Sequence, residues 1–204
     1  MKNPLRNHAA VLAVLCMLVA TEAKGAANGA CLIGSEDSPA KMEVFLDYEC
    51  PSCRIFYTKT LRPLIAYYSK AGKVCVVFRN YPLEIHPHSV YAARYAEGAL
   101  RLGVRQALKI ADALFTTQDQ WTKNGDIEAA LAKVLAKPEM DALRKQMQDP
   151  YIDDDLGDDV HLGMGQMVDS TPTFFLTSRQ GTEKVAAALT YAALQRRLNL
   201  LLGK

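Results

Sequence analysis

The sequence predicts an α/β fold in which a mixed central sheet is interrupted by a long helical insertion. Strand patterns at residues 41–48 and 74–79 enclose a helical pattern, which is the arrangement of a right-handed parallel crossover. A third strand pattern at 173–177 is followed by a tight turn and a short strand near 183–187, and such neighbours pair antiparallel. About 90 residues separate the two groups, far more than a single crossover needs.

The first strand and helix are predicted from residue type and spacing. Residues 41–48 combine β-branched and aromatic side chains with few polar ones, as a buried strand does. The segment 50–53 follows, and a helical stretch then runs to about residue 70. We expect a kink at Pro63, because proline removes a backbone donor and clashes with the preceding turn. Gly72 marks the end of this helix ahead of the second strand.

The insertion, placed at residues 84–168, is rich in Ala, Leu, Gln, Lys and Glu and contains neither a repeat nor a low-complexity tract. Glycines and prolines divide it into helices. These are expected at about residues 87–102, 104–117, 126–136, 138–148 and 153–167, and a last helix at about 190–202 closes the chain.

Composition and charge favour an exported globular protein. Half of the 204 residues are hydrophobic, and the net charge of +2 is small. This argues against a nucleic-acid partner, which would require a basic surface. Residues 1–23 have a basic start, an apolar run and small residues suited to cleavage, as in a secretory signal peptide. The run is roughly 12 residues, whereas a spanning helix needs about 20. An uncleaved membrane anchor is the alternative.

We therefore expect a signal peptide at 1–23, a lead-in with an edge strand at 24–40, and one domain at 41–204. The mature protein is expected in the periplasm or another extracytoplasmic compartment, where disulfides persist. No cofactor is predicted.

Cys50 and Cys53 form a C-x-x-C pair at the junction of the first strand and helix. Free N–H groups and the helix dipole favour an anion there, so Cys50 is placed to be the thiolate that attacks disulfides. Pro51 suits the first helical position, where its missing donor costs nothing. Cys53 lies about one helical turn further on, more buried, where it can resolve a mixed disulfide.

A C-x-x-C pair has two other interpretations. A zinc half-site would need a second ligand pair, and Cys31 and Cys75 do not supply one at suitable spacing. An inert structural disulfide is disfavoured, because so small a loop constrains the unfolded chain little.

Ser170-Thr171-Pro172-Thr173 opens the third strand, where a proline is tolerated. A cis bond before Pro172 would turn the backbone of Thr171 outward, towards an extended peptide. X–Pro bonds in folded proteins are cis in only about 5–6% of cases, so the residues alone favour an ordinary trans bond.

Four segments together resemble the DsbA-like thioredoxin family of exported oxidoreductases. They are Phe45 to Cys53 (FLDYECPSC), Phe78 to Leu83 (FRNYPL), His86-Pro-His-Ser with Ala92-Ala93, and Ser170 to Phe175 (STPTFF). The resemblance implies a thioredoxin core with a helical insertion. It implies that Cys50 is the nucleophile, Cys53 the resolving thiol and Pro172 a cis-proline facing them. Thr171 would tune the site and dock substrate, with Pro51 and Ser52 completing it.

The chain departs from this family six residues before the first cysteine, where many members have an acid and this sequence has Val44. Glu43 is adjacent, but strand alternation turns it to the other face. A buried acid at this place would assist proton movement at the resolving thiol. Asp47, Glu49 or water are the candidate substitutes, although a solvated loop edge is the simpler expectation for both acids.

Cys31 and Cys75 are candidates for a structural disulfide, with two unpaired thiols as the alternative. A bridge would close a loop of about 44 residues, worth roughly 2–4 kcal/mol by the chain-entropy argument.

No metal site is predicted. Pro87 keeps His86 and His88 from converging on one ion, so a helix start with partly exposed imidazoles is expected. The acidic run 153–159 lacks the spacing of a calcium loop, and a charged helix start near the cleft is expected instead. Trp121, Tyr67 and Tyr68 are expected to pack in the fold rather than to bind a cofactor.

The resemblance favours a monomeric dithiol oxidase that gives its disulfide to reduced exported proteins and is reoxidised by a membrane quinone-linked thiol oxidase. The alternatives are a disulfide reductase or isomerase, which would need an electron donor, and a redox-inactive thioredoxin-fold module that binds peptides. The short lead-in at 24–40 leaves no room for an N-terminal dimerisation domain and disfavours the isomerase.

Overall fold

The computed structural model of the protein describes residues 29–204, so the predicted signal peptide lies outside the described residues. One four-stranded sheet has the order β2-β1-β3-β4. The strands are β1 (Ala40–Leu46), β2 (Val74–Asn80), β3 (Thr173–Ser178) and β4 (Gly181–Val185). No helix among residues 29–204 is both long and apolar enough to cross a membrane.

The sheet is mixed, as the sequence predicts. β1 pairs parallel with β2 and antiparallel with β3, and β3 pairs antiparallel with β4. Met42 and Val44 of β1 are fully buried in the main core, whereas Phe45 packs on the opposite face with Tyr81 and Val168. One face of β1 is wholly apolar, whereas Lys41 and Glu43 are partly exposed on the Phe45 face, and the carboxyl end of the strand leads towards Cys50.

The helix after Cys50 is irregular ahead of Pro63. It runs as α1 (Pro51–Phe56), a π-helical turn (Tyr57–Leu61) and α2 (Arg62–Tyr68). In the wide turn, the N–H of Arg62 donates to the carbonyl of Tyr57. The disturbance expected from the missing proline donor therefore takes the form of an added residue in the preceding turn.

The helical insertion is observed between β2 and β3. Its helices are α3 (Ser89–Arg101), α4 (Val104–Thr116), α5 (Gln118–Trp121), α6 (Ile127–Leu131), α7 (Lys137–Gln146) and α8 (Tyr151–Gly165), and α9 (Tyr191–Leu201) follows the sheet. The sequence did not indicate α5, and α6 is shorter than expected because the chain turns towards an extended Ala136 ahead of Pro138. Trp121 and Tyr68 are buried packing residues, as predicted, while Tyr67 is 58% exposed.

Buried polar contacts tie the insertion to the end of β2. Arg79 pairs with Glu43 at 2.8 Å and with Asp159 of α8 at 3.0 Å, and the N–H of Asn80 donates to Asp159 at 2.8 Å. The acidic run was expected to be a charged helix start, and Asp153 and Asp154 do lie in the first turn of α8. Its last residue, Asp159, is buried because Arg79 and a backbone donor satisfy its carboxylate.

A close approach at Gly163 fixes α8 against the sheet. A Cβ at this position would lie 2.4 Å from a ring carbon of Tyr81, so only glycine lets the two elements meet this closely. The Tyr81 hydroxyl donates to the carbonyl of Val168 at 2.8 Å. These contacts position the segment that leads to Thr171.

Cys31 and Cys75 form a disulfide that joins the lead-in to the start of β2. Beside it, Ile33 forms an isolated antiparallel bridge with Val76 in place of the predicted edge strand. Since β1 and β2 are parallel and Cys50 follows the far end of β1, this disulfide lies at the opposite end of the sheet from the redox pair.

Candidate active site

The strand-to-helix junction presents Cys50 at the amino end of α1. Cys50 has extended backbone angles (φ −69°, ψ 122°) and precedes Pro51, the first helical residue. Its N–H donates to the carbonyl of Asp47 at 3.2 Å, and its carbonyl accepts from Arg54 at 3.1 Å. The proline at the helix start therefore removes no bond that the helix would otherwise make.

The Cys50 thiol is stabilised as a thiolate. As a thiol, Cys50 donates to the carbonyl oxygen of Thr171 at 3.4 Å, and donors from other groups stabilise the thiolate. The pKa of Cys50 is lowered to about 5, first by a hydrogen bond from the Cys53 thiol, and further by Thr171 and by the backbone N–H groups of Cys53 and Ser52. Burial opposes this shift but is outweighed. At neutral pH Cys50 is thus in the nucleophilic form.

Cys53 has the opposite character. It is fully buried, and burial, followed by its hydrogen bond to Cys50 and that residue's charge, raises its pKa well above the ordinary value. Reduced Cys53 therefore keeps its proton while Cys50 has lost its own. The two thiols differ because one lies at the helix terminus and the other lies one turn inside the core.

The loop before β3 completes the site. The Thr171–Pro172 peptide bond is cis, and the Thr171 carbonyl faces Cys50 rather than solvent. The Thr171 hydroxyl is buried and has no hydrogen-bond partner among residues 29–204. Pro51 and Ser52, by contrast, are exposed on the rim of the site.

The two acids near the junction are buried, which corrects the expectation of a solvated loop edge. Asp47 is 1% and Glu49 is 8% exposed, because donors from the loop after β2 satisfy both carboxylates. Glu49 accepts from the N–H of His88 at 2.7 Å. Asp47 accepts from Glu49 N (2.7 Å), Leu83 N (2.8 Å), Ser89 Oγ (2.6 Å) and His86 Nδ1 (2.7 Å).

Comparison with known proteins identifies the family to which this chain belongs. The family model described as Thioredoxin matches residues 26–199. The chain belongs to the thioredoxin family. Within this family, alpha-DsbA1 of Wolbachia pipientis has a similar structure, with a TM-score of 0.68, 20% identity, and coverage of 84% of this chain and 89% of that chain. The likeness confirms the predicted fold, including the helical insertion.

Two curated relatives differ in how much of their length is matched. This thioredoxin-family chain is 22% identical over 148 residues to "Probable disulfide bond formation protein D" of Bacillus cereus, covering 71% of this chain and 68% of the relative. It is 28% identical over 171 residues to "Na(+)/H(+) antiporter NhaA 3" of Salinispora tropica. That match covers 81% of this chain and spans only a quarter (25%) of the antiporter.

Two polar residues of the insertion support the site without having been indicated by the sequence. Gln118 donates from Nε2 to the carbonyls of Tyr48 and Cys50, at 2.7 and 3.1 Å. It is buried at the start of α5, a four-residue helix too short to show a period. Nothing local in the sequence marks this contact, which joins residues 68 positions apart.

Glu97 of α3 is the second such residue. It is 1% exposed, accepts from Asn80 at 3.1 Å through one oxygen, and has no partner for the other among the described residues. Burial, and then the charges of Asp159 and Asp155, raise the pKa of Glu97 to about 7. Val44, at the position where many family members carry an acid, is fully buried.

The histidines do not form a metal site. His86 bonds to Asp47, while the His88 ring lies against Gly125. Both are partly exposed, as predicted. Across residues 29–204, no three His, Cys, Asp or Glu side chains are grouped so that they could hold a metal ion.

Proposed function

We propose that this chain is an exported protein disulfide oxidoreductase that acts as a dithiol oxidase on reduced, newly exported proteins. The observation that carries the proposal is the asymmetry of the Cys50–Cys53 pair. A stabilised Cys50 thiolate favours the reduced form of the pair, so the oxidised form readily takes electrons from client thiols. The name of the Bacillus relative, a probable disulfide bond formation protein, points in the same direction.

The exchange needs only the two cysteines and two client thiols. A client thiolate attacks Cys50 in the oxidised pair, a mixed disulfide forms, and Cys53 leaves and takes up a proton. The second client thiolate then attacks the client sulfur and releases Cys50 as a thiolate. Two electrons pass from the client to the protein, and a membrane quinone-linked thiol oxidase would restore the disulfide.

Thr171, Pro172, Pro51 and Ser52 are proposed to dock and tune the client around Cys50. The Thr171 carbonyl at 3.4 Å from Sγ supports this assignment for the loop, and the exposure of Pro51 and Ser52 supports it for the rim.

The proposal includes a cleaved signal peptide at 1–23, a lead-in at 24–40 and an enzyme domain at 41–204. N-terminal sequencing of the protein from the extracytoplasmic fraction tests the cleavage.

The redox potential of the pair decides the direction of exchange. Equilibration of the mature protein against a glutathione series, with the Cys31–Cys75 bridge checked by mass, should give about −120 to −180 mV for an oxidase. A value near about −270 mV would mark a reductase that depends on an electron donor. Failure of the pair to exchange at all would leave a peptide-binding module.

Trapping tests the assigned roles of the two cysteines. Cys53→Ser, whose Cys50 is first converted to a mixed disulfide with a small aromatic thiol, should accumulate mixed disulfides with reduced client proteins as the client thiolate attacks Cys50 and the aromatic thiol leaves, because the resolving thiol is missing. Cys50→Ser should form none, and serves as the matched control. Equal adduct formation by both variants would contradict the assignment.

A further inference from the structure

A groove of about 420 Å³ opens beside the nucleophile, between α1 and the helical insertion. Glu49 and Pro51, which flank Cys50 in the chain, both line it, and the opposite wall includes Ile85 and His86 of the loop after β2. A client cysteine that approaches Cys50 from this side therefore passes the imidazole of His86.

The His86 ring is oriented by Asp47. Its Nδ1 lies 2.7 Å from Oδ2 of Asp47, whose side chain is wholly buried. That carboxylate accepts donors at both oxygens, which is the role of an acceptor-only, ionised group. The proton of the neutral ring consequently sits on Nδ1, and Nε2 carries the free lone pair.

Nε2 of His86 has no hydrogen-bond partner anywhere in residues 29–204, and the side chain keeps 16% of its surface exposed while lining the groove. An imidazole held by a buried carboxylate, with its second nitrogen open to the substrate side, is arranged to accept a proton. The redox cysteines do not need this group for their own ionisation, since Cys50 is already stabilised by Cys53, Thr171 and the helix start.

Client thiols do need a base. An ordinary cysteine has a pKa of about 8.5, so only a small fraction is thiolate at neutral pH, and the thiolate is the attacking form. We propose that His86, positioned by Asp47, is a catalytic base that deprotonates the client thiol in the groove beside Cys50. This inference rests on the proposed thiol–disulfide exchange and adds a residue to it.

The step balances in protons and electrons. Nε2 takes the proton of the client S–H, the sulfur attacks Cys50 Sγ, and the Cys50–Cys53 bond breaks with its electron pair on Cys53. The protonated His86 ring returns its proton through solvent, Cys53 takes one up, and the second client thiol repeats the deprotonation. The net change is two client thiols to one client disulfide, with Cys50 thiolate, Cys53 thiol and one proton released.

The charges around the groove are compatible with this role. Arg54 and Asp119, both lining it, form an ion pair with each other. The acidic groups on this side are Asp47, which is bonded to the ring, and Glu49, which lines the groove.

The test is the rate at which dithiothreitol reduces the oxidised Cys50–Cys53 pair, measured from pH 6 to 10 by acid quench, alkylation and mass. His86→Asn keeps a donor near the place of Nδ1 for Asp47 but removes the base. We expect this variant to react about 10–100-fold more slowly at pH 7. The rates of variant and wild type should converge at high pH, where the probe is already ionised. His88→Asn, on the same segment but outside the groove, should match the wild type throughout.

Added imidazole provides a second measurement. His86→Ala leaves room in the open groove, so imidazole should restore its rate at pH 7 in proportion to concentration, without affecting wild type. An unchanged rate in His86→Asn overturns the inference. The inference is also overturned if His86→Asn loses the same fraction of the rate at all pH values and imidazole does not restore the rate of His86→Ala, because these two results together indicate a purely structural role. If wild type itself does not react, it is the proposed function that fails.

Discussion

Moving the pH across the titration of Cys50 should change the slope of the redox potential of the Cys50–Cys53 pair. The pKa of Cys50 is lowered from 9.0 to about 5, and that of Cys53 is raised. Below about pH 5 the reduced pair therefore carries two protons, whereas above it the pair carries one. Each proton taken up in a two-electron couple contributes about 30 mV per pH unit. The slope should fall from about −59 to about −30 mV per unit.

The lowered pKa of Cys50 also determines how much its thiolate contributes to the redox potential at neutral pH. Between pH 5 and pH 7 the reduced form gains about 1.4 kcal/mol per unit relative to a pair with an unshifted Cys50. The total of about 2.7 kcal/mol corresponds to about 60 mV in a two-electron couple. The sign follows from the lowered pKa. Above about pH 5 the thiolate makes the pair more oxidising than a pair with an unshifted Cys50, and this difference is lost as the pH falls through about 5.

The assay is equilibration with a dithiol redox buffer of known pH dependence from pH 4 to 8, read by alkylation and mass. A break in slope near pH 5 is the expected result. A single slope of about −59 mV per unit across the whole range would refute the reasoning, since it would mean that Cys50 stays protonated at neutral pH. Cys53→Ala, alkylated over the same range, reports the titration of Cys50 without the hydrogen bond from the Cys53 thiol, and the pKa of Cys50 should shift upward.

Three further predictions concern the scaffold. Gln118→Ala leaves the carbonyl of Tyr48 without its donor, while the carbonyl of Cys50 keeps the N–H of Arg54. It should lower the free energy of unfolding, measured in urea, by about 1–3 kcal/mol; Gln120→Ala, on the exposed side of the same turn, is the control. Because the pKa of Glu97 is raised from 4.5 to about 7, its contribution to the free energy of unfolding is complete below pH 4.5 and is lost as the pH rises through about 7. Glu97→Gln should remove that loss, which is about 3 kcal/mol at pH 8. A difference in unfolding free energy between variant and wild type that is the same at pH 5 and pH 8 would contradict this prediction. Replacing Cys31 and Cys75 by serine opens a loop of 44 residues and should cost about 4 kcal/mol by loop entropy while exchange at Cys50 continues.

Local chemistry made much of the fold predictable. β1, β2 and β3 contain runs of buried apolar residues, the helices of the insertion are divided by glycine and proline, and these signals act over a few residues. The prediction of the fold was less accurate where contacts between segments distant in sequence determine the structure. α5 is too short to have a period, and Asp159 at the end of the acidic run is buried because Arg79, far away in sequence, pairs with it.

The sequence by itself determined the reactive centre. Cys50 and Cys53 are one helical turn apart at a strand-to-helix junction, which supplies most of the donors that lower the pKa of Cys50, whereas the raised pKa of Cys53 comes first from its burial in the assembled core. The tertiary structure alone decided the surroundings: the burial of Asp47, the orientation of His86, the support from Gln118 and the joining of Cys31 to Cys75. A carboxylate can leave water only where donors from other segments meet it, and no spacing in the chain reports which segments those will be.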